Sequence, residues 1–107
     1  MLYKFKSKAS GDLIMLEPNG RRVLEIIGKA PGPTGIILPP DMPAAAAALE
    51  QAITDDEARQ QALIDEARAA GKAPPKFDDI SLRQRAMPMI DMLRRCAAAQ
   101  REIVWGV

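Results

Sequence analysis

Asp12-Leu-Ile-Met-Leu-Glu-Pro-Asn-Gly-Arg-Arg-Val-Leu-Glu-Ile-Ile27 is the stretch on which the fold turns. Taken with a helical period, Leu13, Leu16, Gly20, Val23, Leu24 and Ile27 share one face, while Glu17, Pro18, Arg21, Arg22 and Glu25 share the other. Taken with a strand period, Pro18-Asn19-Gly20 between two apolar runs is a hairpin turn of the Asn-Gly kind. Asp12 as an N-cap and Gly28 as a C-terminal stop favour the helix, so residues 12–27 are expected to form a first helix, bent at Pro18.

On the N-terminal side, residues 2–8 alternate. Tyr3 and Phe5 point one way and Lys4, Lys6 and Lys8 the other, which is the pattern of a half-buried strand. On the C-terminal side, residues 29–34 are rich in Pro and Gly and connect to a short apolar strand at 35–38, ended by Pro39 and Pro40. Asp41 as N-cap and Pro43 in the first turn open a second helix, with Ala45, Leu49, Ala52 and Ile53 at helical spacing. Its stripe weakens at Asp56 and Gln60, and Thr54 with Glu57 would cap a restart, so one helix or two over residues 43–68 stays open. Gly71, Pro74 and Pro75 make 69–79 an expected flexible, exposed loop. Ser81 with Gln84 is a capping box for a third helix, whose apolar face is Leu82, Ala86, Met89, Leu93, Cys96 and Ala97 and which Pro88 should bend.

Residues 103–107 are β-branched and aromatic and read as a last strand, able to pair with the first. The expected fold is α+β: a small three-stranded sheet with about three helices packed mainly on one face. Its order is strand, helix, strand, helix, helix, strand, in one domain over residues 1–107.

Composition narrows the function more than it names it. The 107 residues are 48% hydrophobic and 27% charged, an ordinary globular balance, and a net charge of +1 gives no general attraction to nucleic acid or anionic lipid. No run approaches membrane-spanning length, and residues 1–8 lack the apolar stretch of a signal peptide, so no membrane association is expected. Cys96 has no partner for an internal disulfide, which fits a reducing compartment, and a cytoplasmic location is expected.

The chain has no histidine, the side chain most used for proton transfer near neutral pH and for transition-metal ligation. Cys96 is phased onto the apolar face of the third helix as a buried structural thiol without an activating base. Asp55, Asp56 and Glu57 point in different directions from one helix start and lack the spacing of an oxygen-ligand loop, so they read as negative charge at a helix N-terminus. No catalytic residue, metal site or cofactor is expected.

Two basic features remain. Lys4, Lys6 and Lys8 lie opposite the strand's aromatics and cannot act with them as a stacking platform for bases; at a sheet edge they would discourage strand pairing. Arg83, Arg85, Arg94 and Arg95 lie on the third helix. There Met87, Asp91, Arg94 and Arg95 share the face away from the core, a mixture that interfaces favour. Trp105 adds a large amphipathic group near the C-terminus. Met87, Asp91, Arg94, Arg95 and Trp105 are therefore the candidate partner surface. The leading expectation is a non-enzymatic protein-interaction module with a protein partner of undetermined identity. Its rivals are a nucleic-acid-binding accessory protein and an enzyme of unrecognised type. A symmetric homodimer is also expected, because a sheet of three short strands has two edges and residues 35–38 and 103–107 carry no charge to protect one.

Several segments carry a resemblance: residues 2–8 with Ser10-Gly11-Asp12, Ile27-Gly28-Lys29, Gly35-Ile36-Ile37 leading to residues 41–45, and residues 81–86 through to the Trp105-Gly106-Val107 ending. With these, the chain resembles a proteobacterial family, domain of unknown function 1840, over nearly its whole length. The resemblance implies a cytoplasmic bacterial protein with a shared fold, and residues 54–79 as the variable part. It implies no activity.

Overall fold

A computed structural model of the chain describes residues 2–77 and 80–106. Asp78 and Asp79, at the end of the expected loop, and Val107, at the end of the expected last strand, lie outside the described residues. The chain runs through β1 (Leu2–Ser7), β2 (Ser10–Leu16), α1 (Glu17–Ile26), β3 (Gly35–Ile37), a 3-10 turn (Pro39–Asp41), α2 (Met42–Ala69), α3 (Leu82–Ala99) and β4 (Ile103–Trp105). The fold is α+β, with four strands rather than three, in the order β2-β1-β4-β3 and antiparallel at every pairing.

The extra strand comes from the segment expected to be one bent helix. Residues 13–16 are four apolar residues in a row, a run that satisfies either period, and tertiary pairing decides between them. Phe5 pairs with Leu13, Tyr3 with Met15 and Leu2 with Leu16 across a hairpin. Pro18 then occupies the first turn of α1, where its missing N–H costs nothing, instead of kinking a helix interior. Gly28 does end α1: it adopts φ 83°, and the amide of Lys29 reaches back to the Leu24 carbonyl at 2.8 Å.

The order of elements is therefore strand, strand, helix, strand, helix, helix, strand. The two sequence-terminal strands lie side by side at the centre of the sheet, Phe5 opposite Trp105 and Lys6 opposite Val104.

α2 is one helix of 28 residues. Thr54 does not cap a restart; its hydroxyl donates to the Glu50 carbonyl one turn back, at 3.2 Å. Ile53 is the last buried residue of α2, and the half beyond it runs out past the core, which makes the molecule 52 Å long and 28 by 22 Å across. α3 begins with the expected capping box: Ser81 Oγ accepts from the Gln84 amide at 3.1 Å, and Gln84 Oε1 accepts from the Ser81 amide at 2.9 Å. The helix continues through Pro88 to Ala99.

The core lies between one face of the sheet and the helices. Phe5, Ile37 and Ile103 from the strands are fully buried with Leu49 of α2 and Met89 and Leu93 of α3. α1 seats on this face through Gly20, where a Cβ would lie 2.4–2.9 Å from the ring and Cβ of Tyr3. In an open helix interior Gly→Ala stabilises by about 1 kcal/mol. Here overpacking of about 1–3 kcal/mol opposes that gain, so Gly20→Ala is expected to lower the denaturant midpoint. A raised midpoint would show that Tyr3 moves aside freely.

Candidate interaction surface

The helices cover one side of the sheet and leave the other open. An antiparallel sheet with one free face normally alternates apolar-in and polar-out, and Lys4 and Lys6 of β1 obey that rule. Their neighbours do not. Leu2 (60% exposed), Ile14 (56%), Leu16 (63%) and Ile36 (43%) all project from the open face, together with the half-buried Val104.

The registers locate two apolar lobes. Leu2, Ile14 and Leu16 meet at the β1–β2 corner, and Val104 and Ile36 pair across β4 and β3. Lys4 and Lys6 lie between them, with Lys4 Nζ 3.5 Å from Asp12 Oδ2. Since β1 is an interior strand, its lysines do not protect an edge, contrary to expectation. Asp12 offsets the charge of Lys4, so Lys6 leaves the face between the lobes with a cationic excess.

The residues expected to form a partner surface are not brought together. Trp105 is 2% exposed. It packs edge-on against Phe5 with ring centroids 5.7 Å apart, and its indole N–H donates to the Gly32 carbonyl at 3.2 Å. The cross-strand position beside it is Gly35, which leaves room for the indole on the helix-covered side. Trp105 is thus a core residue, and the expected dimer patch built on it does not exist.

Met87 is half-buried against the core, and Arg94 turns to α2, where it pairs with Glu50. Asp91 and Arg95 remain exposed, one turn apart on α3. They line, with Ser10–Leu13, Pro88 and Met92, a cleft of about 260 Å³ beside β2.

The carboxylates in the middle of α2 are engaged within that helix or tie it to its neighbours. Asp55 accepts from Gln51 at 2.9 Å, and Asp56 faces Arg59 at 2.8 Å and Arg22 at 3.7 Å. Glu57 accepts both donors of Arg83 at 2.7 and 3.0 Å. These hydrogen bonds, with the attraction of the guanidinium, hold the Glu57 carboxyl below its ordinary value. The three carboxylates do diverge, but from the middle of α2 rather than from a helix start. Arg85 reaches Asn19 of α1. Cys96 is fully buried, as its phase predicts, with Sγ 3.8 Å from Ser10 Oγ. Among the described residues no group of three or more His, Cys, Asp or Glu side chains is placed to hold a metal ion, and no helix is long and apolar enough to cross a membrane.

What sequence reasoning missed is the open face itself. Its signal was the apolar run at 13–16: in a strand, two of those four side chains must point away from the core. Neither a curated protein nor a solved structure matches the chain. The family described as "Domain of unknown function (DUF1840)" matches residues 1–105, and the chain belongs to that family.

Proposed function

We propose that this chain is a non-enzymatic protein-interaction module whose open sheet face receives a partner surface that is apolar and studded with carboxylates. The observation that carries the reading is the exposure of Leu2, Ile14, Leu16 and Ile36 on one face around Lys4 and Lys6. Exposed apolar lobes of this kind cost solubility unless something covers them. The interleaved lysines select for acidic groups opposite them. Among the described residues Tyr3, Phe5 and Trp105 lie in the core and Phe77 lines a cleft with Arg22 and Arg85, so the lysines of this face have no aromatic side chain beside them and a base-stacking platform is the weaker reading.

The test uses the end of the face remote from β2. A Lys6→Glu, Ile36→Glu variant changes only exposed or half-exposed positions and should keep its circular dichroism spectrum. A partner captured from a native lysate by the wild-type chain, then purified, should bind with a negative heat-capacity change, the mark of apolar burial. The variant should bind it at least about tenfold more weakly, a difference of about 1.4 kcal/mol. Equal affinity of variant and wild type would remove the face as the site. Salt-sensitive retention of the wild type on heparin, in place of a protein partner, would favour nucleic acid instead.

A further inference from the structure

The two edges of the sheet are unequal. β3 is three residues long and is bracketed by Pro33 and Pro39, which cannot donate to a ladder, so little of it can accept another strand. β2 is seven residues long, Ser10–Leu16, without a lysine or a proline. It has β1 on one side and, among the described residues, no strand on the other. What blunts this edge is confined to its first half, where the ladder to β1 shifts register between Leu13 and Ser10 and Asp12 carries a charge, leaving Leu13–Leu16 regular and uncharged.

Beside it lies the cleft formed with α3, lined by Asp91 and Arg95. Both side chains are exposed, and among the described residues neither forms an ion pair. They carry opposite charges one turn apart on the same face.

We infer that two copies of the chain pair antiparallel through β2, about a twofold axis normal to the sheet, to form one continuous eight-stranded sheet. Three observations select a second copy as the occupant. First, a twofold axis sets α3 antiparallel to its own copy, and a face bearing one cation and one anion is then self-complementary: Arg95 meets the Asp91 of the other copy, and the reverse. Second, a twofold antiparallel register matches residues an even number apart. Leu13 and Met15 therefore stay on the helix side, and Asp12, Ile14 and Leu16 on the open side. Third, the edge strand carries the exposed Ile14 and Leu16, and a copy laid alongside shelters part of them.

The inference goes beyond the proposed partner binding and does not depend on it, because it uses the edge of the sheet and leaves the open face uncovered. Pairing joins the two open faces into one.

Light scattering on a size-exclusion column at tens of micromolar should give twice the 11.6 kDa chain mass. Arg95→Asp places like charges against each other and should raise the dissociation constant by about tenfold or more. The swap Asp91→Arg, Arg95→Asp restores opposite charges and should bring the constant back to within about threefold of wild type, which a merely misfolded surface would not do. Lys6→Glu, Ile36→Glu should remain dimeric. A wild-type monomer overturns the inference, as does a dimer indifferent to Arg95→Asp, or one that the charge swap fails to restore.

Discussion

Replacing Trp105 by alanine is expected to destabilise the fold by about 3–5 kcal/mol, the range for emptying a buried aromatic site. In a chain of this size that corresponds to a fall in melting temperature of about 15–30 °C. The loss has three sources: an indole 2% exposed, its edge-on contact with Phe5, and its hydrogen bond to the Gly32 carbonyl, which would be left short of a donor. Thermal unfolding followed by circular dichroism checks it. A surface anchor for a partner would behave oppositely, with a near-normal melting temperature and altered association. A loss under about 1 kcal/mol would contradict the buried position.

Gly35→Val should be nearly as severe, at about 3 kcal/mol, although valine is a good strand former. The Cβ alone would lie 2.0–2.6 Å from three atoms of the Trp105 six-membered ring, and the ring cannot retreat without disturbing Phe5. The two effects must be coupled. In a Trp105→Ala background the obstacle is gone, so the cost of Gly35→Val should shrink by about 2 kcal/mol, a non-additivity typical of contacting residues. Chemical denaturation of the four proteins of the cycle measures it; additive losses would mean that the clash is relieved elsewhere.

Much of this architecture was legible in the residues. The alternation at Tyr3-Lys4-Phe5-Lys6, the Ser81/Gln84 capping box, the helical phase of Cys96 and the pairing of the terminal strands all follow from local pattern, and the structure repeats them. Residues 12–27 were not, because an uninterrupted apolar run carries no period of its own. Leu13 and Leu16 fit a helix stripe as well as they fit a strand, and only the cross-strand neighbours of β1 distinguish the two. That single ambiguity also hid the candidate surface, since Ile14 and Leu16 point outward only if they belong to a strand. Trp105 failed for a different reason. A tryptophan near a chain end is amphipathic in either setting, and its burial depends on Gly35, seventy positions earlier, leaving space for the ring.

The central place of β1 and β4 governs when the protein can fold. Phe5 and Trp105 stand one hundred positions apart yet face each other in the middle of the sheet, so the loop closed by that pairing spans nearly the whole chain. Closure of so long a loop comes late and slows folding. On the ribosome the β1–β2 hairpin and the helices emerge first, but β3 lacks the neighbour that joins it to the hairpin until β4 is released. The nascent chain is then a set of helices beside an unfinished hairpin, with the two halves of the sheet unjoined until β4 arrives.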